Sequence, residues 1–490
     1  MKRDKVFIIN TGGTIGMVHK EPDNPLSPLR PAENWKEITG NYQMLEPEIL
    51  GVETGYFQFS PLLDSSDIRY ENWKQMVEVI AKNYDGYSGF VLLHGTDTMC
   101  YTAAALSFML ENLSKPVIIT GSQIPMVKPR SDALQNLVTA IHMAAPKTFG
   151  YPIISEVCIF FRDELVRGTR ARKLSSSGYA GFTSPNYQVL AKAGEHIEFN
   201  TNFIRERPRE DQEFFPNTRL DTHVMVLEIF PCFDPAVLRN IFQEPPTEKD
   251  RIKGLILKTF GAGNAPNNRE FLSAIEYVTK QGVIVVDVTQ CPQGTVELGL
   301  YEASSGLLNR GIISGVDLTP EAAVCKLMYL LGKGWPREEV RRVMQLDIRG
   351  EQSLNIYNID FDEPSKADPT FRKGKRVPGD IDFTRFKSAS LRFQDAKMIK
   401  DHEKDVPLRL KVFLNHPDAD ESTSASDPMC AGTIEKLLPL GRPDDLFVDI
   451  SKPVKKIIRP GEMATISVVA EKGYGVEWEK MSCSIYTRPH

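Results

Sequence analysis

Thr14, Thr96 and Asp97 are the residues best placed to do chemistry. Each lies just past a short apolar run. Val6 to Ile9 leads into Asn10-Thr11-Gly12-Gly13-Thr14-Ile15-Gly16, and Phe90 to Leu93 into His94-Gly95-Thr96-Asp97-Thr98. A threonine hydroxyl is a weak nucleophile until a base or a nearby charge activates it. A lysine beside such a hydroxyl can act as the base, because burial lowers its pKa, and a carboxylate next to the lysine would hold and tune it. Backbone N–H groups in glycine-rich turns can stabilise an oxyanion. Together these residue types suggest acyl transfer from a small amide through a threonine ester. Two other readings stay open. Asp97 and Ser65 could bind a charged ligand, Asp97 its ammonium and Ser65 its carboxylate. Thr11-Gly12-Gly13-Thr14 could also be only a tight turn between a strand and a helix.

The elements that would position these groups read as alternating strands and helices. Strands are predicted at 5–10, 89–93, 116–120 and 156–161, and helices at 70–84, 98–112 and 131–145. Continuous apolar runs followed by helical patterns predict a parallel, doubly wound sheet with ligands at the carboxyl ends of its strands. Residues 17–35, with Pro22, Pro25, Pro28 and Pro31, form an irregular loop, either a lid or a plain surface connection. An extended stretch at 52–63 delivers Asp64-Ser65-Ser66-Asp67, of which Ser66 or Asp67 could cap the following helix. Arg167, Arg170 and Arg172 read as a solvated basic face. A second series follows, with strands at 224–229, 254–259 and 283–288 and helices at 235–243, 268–281, 320–333 and 336–346. Gly261-Ala262-Gly263 in this half lacks the third glycine and the later acidic residue of a dinucleotide loop. Short β-prone runs between 408 and 486 predict a small antiparallel sandwich. The expected domains are therefore 1–194, a linker 195–222, 223–352, a linker region 353–405, and a β-rich accessory domain 406–490.

At 490 residues the chain has room for about three domains. A net charge of −5 gives no electrostatic footprint for nucleic acid, and no stretch of about 18 apolar residues could span a membrane. Seven scattered cysteines without a CxxC pair argue for reduced, mostly buried thiols in a cytoplasm.

The segments Thr11-Gly12-Gly13-Thr14-Ile15-Gly16 and Leu93-His94-Gly95-Thr96-Asp97-Thr98-Met99 resemble the two signature stretches of the bacterial-type L-asparaginases. Thr120-Gly121-Ser122-Gln123-Ile124-Pro125 and Gly261-Ala262-Gly263-Asn264-Ala265-Pro266 are similar to further shared segments. The likeness runs from about residue 4 to about 352 and is strongest to the cytoplasmic type I branch. It implies hydrolysis of L-asparagine to L-aspartate and ammonia without metal or organic cofactor. Thr14 is implied as the nucleophile, with Thr96, Asp97 and Lys173 as the polar set at the second motif. Ser65 matches the substrate-carboxylate position, with Ser66 beside it as a second binding candidate. Asp97 matches the group that holds the substrate's amino end. Asn264 matches a residue lent to the neighbouring subunit's site, which implies an intimate homodimer, often paired into a homotetramer.

The chain also departs from the family pattern. No tyrosine lies in Glu21-Pro22-Asp23-Asn24-Pro25-Leu26, where many members carry one that activates the threonine. Tyr301 is the candidate substitute, with a packed core or interface tyrosine as the alternative. Cys291 falls at an effector position of some type I enzymes, but Lys258 stands where an arginine is expected there, so Cys291 is read as a small buried residue. The tail beyond about 360 has no counterpart in the ordinary type I enzyme. Two other functions are alternatives: an ammonia-releasing subunit of a tRNA amidotransferase, and an inactive scaffold whose tail binds a partner. The mild acidity of the chain counts against the first, and the filled polar positions against the second.

Overall fold

Val6 and Ile8 pack into one hydrophobic layer while Phe7 and Ile9 pack into another, and Val91 and Leu93 divide from Phe90 and Leu92 in the same way. A strand covered on both faces has no position for a polar side chain, which is why these segments read as unbroken apolar runs. The computed structural model describes residues 3–21, 24, 26–40, 42–245, 247–298, 306–361, 363–399, 407–436, 438, 443–471 and 475–489.

These strands sit in an eight-stranded sheet whose order is Ile197–Phe199, Ala191–Ala193, Glu164–Arg167, Val157–Phe161, Val117–Thr120, Gly89–Leu93, Lys5–Gly12, Glu53–Leu63. From Glu53–Leu63 to Val157–Phe161 every pairing is parallel. The remaining three pairings are antiparallel, starting with the hairpin that returns through Arg162 at a φ of 62°. The sequence reading missed this antiparallel edge, because tight hairpins leave no helical pattern between strands. Part of the edge falls in 195–222: instead of a plain linker, that stretch supplies the outermost strand, Ile197–Phe199.

Four parallel strands form the second sheet in the order Val224–Glu228, Gly254–Thr259, Ile284–Thr289, Ile313–Ser314. Helices Met99–Met109 and Pro320–Gly332 join the two halves. Ala103, Leu106 and Phe108 of the first share one core with Leu327, Tyr329 and Leu330 of the second. Ten of the eleven residues of Met99–Met109 are buried, so this helix is apolar all round rather than amphipathic.

Beyond residue 354 the fold is antiparallel. One sheet contains Asn355–Phe361, Lys480–Thr487 and Phe386–Met398, and the other Thr370–Arg376, Met463–Ala470, Leu408–Leu414 and Cys430–Lys436. The two sheets bury a core of their own, including Leu391, Phe393, Leu410, Val412, Val468 and Trp478. The sandwich expected at 406–490 is therefore larger, and 353–405 is not a linker but supplies three of its long strands. One of them hid behind charge: Thr370–Arg376 carries four cations on a largely exposed strand at a sheet edge, a common device against edge pairing.

Candidate active site

Two glycines let the first strand end approach the second. Gly12 has a φ of +128°, and a Cβ there would lie 2.2 Å from the Leu63 carbonyl oxygen. Gly13 has a φ of +90°, and its Cβ would lie 2.6 Å from the Gly95 nitrogen. Any larger residue would strain the backbone and push the two turns apart. Gly95 in turn packs on Ser65, where a Cβ would fall 2.6 Å from Oγ. Two hydrogen bonds fasten the same junction. The buried Thr11 hydroxyl donates to the Leu93 carbonyl at 2.8 Å, and the Thr98 hydroxyl to the Ser65 carbonyl at 2.7 Å.

A cleft of about 240 Å³ opens where these turns meet, and Thr14, Ser65, Thr96 and Asp97 line it. The Lys173 Nζ donates to Thr96 Oγ1 at 3.0 Å and to Asp97 Oδ1 at 2.6 Å. The lysine side chain is 19% exposed and that of Asp97 69%. The ammonium is thus held on its inner side by a hydroxyl and on its solvent side by a carboxylate. After losing a proton, Nζ would accept from the same Thr96 hydroxyl, so one contact serves both protonation states. Lys173 reaches the site from a two-residue strand, Arg172–Lys173, paired with Phe182–Thr183. The arginines before it do not form a solvated face: Arg167 and Arg170 are buried in ion pairs with Glu156 and Asp317.

The other candidates are placed as follows. Ser66 does not line the cleft; its backbone N–H and hydroxyl both donate to Asp64 Oδ1, at 2.9 and 2.8 Å, so its side chain serves the turn. Asn264 lies in the turn after Gly254–Thr259, away from the cleft of its own chain, and its buried Oδ1 has no hydrogen-bond partner. Tyr301 falls outside the described residues. Cys291 is exposed, which corrects the buried reading, since its segment turns to the surface directly after Ile284–Thr289. Lys258 forms an ion pair with Glu228.

His94 was not singled out from the sequence, yet it supports the second motif from below. It is fully buried, with Nδ1 2.6 Å from the Gly95 carbonyl oxygen and Nε2 2.9 Å from Thr102 Oγ1. Trp73 Nε1 donates to that same threonine oxygen at 2.9 Å. A carbonyl only accepts, so Nδ1 carries the proton and Nε2 accepts from the Thr102 hydroxyl. Burial pushes the imidazole pKa down to about 4, and the bond to the Gly95 carbonyl opposes this only in part. A neutral imidazole therefore fixes the peptide that presents Thr96. Spacing offered one clue, as Thr102 falls one helical turn past Thr98.

The chain matches the family model for the asparaginase N-terminal domain over residues 5–205 and that for the glutaminase/asparaginase C-terminal domain over residues 223–344. It is 40% identical to L-asparaginase 1 of Escherichia coli K12 over 358 residues, 72% of this chain and 98% of that protein. The 60 kDa lysophospholipase of Mus musculus is 38% identical over 300 residues, 61% of this chain and 51% of its own length. Among solved structures, L-asparaginase I of Vibrio cholerae matches with 42% identity and a TM-score of 0.63, covering 72% of this chain and all of its own. With both domain models matched in order and the Escherichia coli protein covered almost end to end, the chain belongs to the asparaginase family.

Proposed function

We propose that this protein is an L-asparaginase that hydrolyses L-asparagine to L-aspartate and ammonia through an acyl-enzyme on Thr14. The observation that carries the reading is the Lys173 ammonium, held between Thr96 and Asp97 on the cleft that Thr14 lines. Bound substrate places its carboxylate at the buried Ser65 and its ammonium at the exposed Asp97. The Thr14 hydroxyl attacks the side-chain amide carbon, and backbone N–H groups of the glycine turns take the developing negative charge on the oxygen. The Thr14 proton is passed to the leaving nitrogen, and the C–N bond breaks to release ammonia. Water polarised by Thr96 and Lys173 then attacks the ester, aspartate departs, and the proton returns to Thr14.

The cleft holds no described residue of 223–352 from its own chain. We therefore assign Asn264 to the site of a second copy, so the working unit is at least a homodimer. Seven free thiols suit a reducing compartment, and we place the protein in the cytoplasm. Among the described residues no helix is long and apolar enough to cross a membrane.

The test is ammonia release from L-asparagine and from L-glutamine by wild type and Thr14→Ala, side by side. Activity on asparagine that disappears in the variant supports the reaction and the nucleophile together. Wild type silent on both amides at millimolar concentration would refute the assignment and favour an amide carried on a larger substrate.

A further inference from the structure

The parallel strands of the eight-stranded sheet have a second cleft at their other end. It opens beside the start of Val157–Phe161 and encloses about 550 Å³. Arg167, Arg205, Arg207, Arg209 and Arg349 line it, in a chain whose net charge is −5. Arg167 is fully occupied. It pairs with Glu156, giving Oε1 one bond at 3.1 Å, and it also donates to the carbonyls of Phe203 at 2.8 Å and Gly350 at 3.3 Å. The other four are not. Arg205 Nη2 and Arg349 Nη1 both donate to the Ile348 carbonyl, at 3.2 and 2.8 Å, which draws two half-buried cations together around one oxygen. Arg207 has no ion pair among the described residues, and Arg209 meets only the exposed Asp211 at 3.5 Å. The buried Ser155 hydroxyl on the lining lacks a hydrogen-bond partner.

Like charges gathered in a cleft cost free energy unless a counter-charge arrives. Burial lowers the Arg205 pKa, Asp347 and Glu156 oppose the shift, and the neighbouring Arg349 and Arg167 add to it. The carboxyl of Asp347 is itself pushed up by burial and by Glu351. Of the carboxylates on the lining, Glu156 is committed to Arg167 and to the Arg205 backbone N–H at 2.8 Å, which leaves only Glu206.

We propose that this cleft binds a small anion bearing two or more phosphate groups. Guanidinium forks match phosphate oxygens in bidentate fashion, and four such groups exceed what a single carboxylate could use. The volume lies in the usual range of small-ligand sites, about 300–1,000 Å³. Among the described residues no aromatic side chain lines the cleft to stack a nucleobase, so recognition rests on the phosphates.

The test is calorimetric titration of the full chain with inorganic pyrophosphate at fixed ionic strength, for wild type and an Arg207→Gln/Arg209→Gln double variant. Those two side chains are exposed, so the variant should fold and hydrolyse asparagine as wild type does. The expected result is saturable binding of one pyrophosphate per chain, weakened at least about tenfold in the variant. Sulfate at matched ionic strength should not displace the pyrophosphate. No saturable binding at millimolar concentration, equal affinity in the two proteins, or full displacement by sulfate would each overturn the assignment. The titration reads binding and not hydrolysis, so its outcome is separate from the fate of the Thr14 reading.

Discussion

In the proposed mechanism the chemistry depends on Lys173, because one nitrogen touches both Thr96 and Asp97. Lys173→Met preserves much of the stem and removes the charge. It should lower kcat for ammonia release by about 10²–10⁴-fold, the usual worth of a positioned acid or base. Because Ser65 and Asp97 remain to bind substrate, KM should move far less. An unchanged kcat would remove the lysine from the mechanism. His94 supports a different prediction. Its folded pKa of about 4 lies below the ordinary 6.5, so between those values the unfolded chain binds more protons than the folded one. Stability therefore falls as pH is lowered from about 6.5 towards 4. His94→Asn retains a donor for the Gly95 carbonyl but has no group that titrates there. Urea melts at several pH values should show a shallower acid decline in the variant. An identical decline would assign the acid sensitivity to other groups.

Among the elements, the glycine turn after the first strand is the most demanding. At Gly13 an added methyl would press on the Gly95 nitrogen at 2.6 Å while φ stays at +90°. The left-handed backbone alone costs about 1–2 kcal/mol in a residue with a Cβ. Gly13→Ala should therefore lower Tm and reduce kcat more than it raises KM, because the shift moves Thr14 relative to Thr96. A variant with wild-type kcat would mean that the turns adjust freely. How legible each element was follows from its surroundings. Central strands such as Gly89–Leu93 could be read directly, since burial on both faces permits only apolar residues. Thr370–Arg376 could not, because an exposed edge strand is free to carry charge. Within the site, Thr14, Ser65, Thr96 and Asp97 were legible as polar residues at strand ends. His94 was not: its importance lies in Thr102 and Trp73, and no spacing rule links a strand end to a helix packed 21 residues earlier in the chain. Ser66 was ambiguous for the opposite reason, because a serine whose hydroxyl donates within a turn looks in sequence like one that binds a ligand.

For the molecule as a whole, the β-sandwich has its own core, and none of its described residues lines the Thr14 cleft. A chain ending at Leu354 keeps Gln352 and Ser353, which bond to Lys326 and Asp317, and loses only the sandwich. It should still hydrolyse asparagine, with a lower Tm from uncovering Leu346 and the helix Arg337–Met344, whose Arg342 pairs with Asp380. Loss of activity in a folded truncation would give the sandwich a part in catalysis.

The buried arginines bear on the order in which this chain can mature. Arg170 is 1% exposed; its Nη1 bonds Asp317 at 2.8 Å and its Nε the Gly350 carbonyl at 2.7 Å, partners that follow it by 147 and 180 residues. During synthesis the first half leaves the ribosome while those partners do not yet exist. A buried cation without its partner costs about 3–5 kcal/mol, a large share of what a domain can spare. We therefore expect the amino-terminal half to stay partly open until residue 350 has emerged, although it matches the family's first domain over residues 5–205. A fragment of residues 1–205 should accordingly show rapid amide exchange across strands that are protected in the full chain.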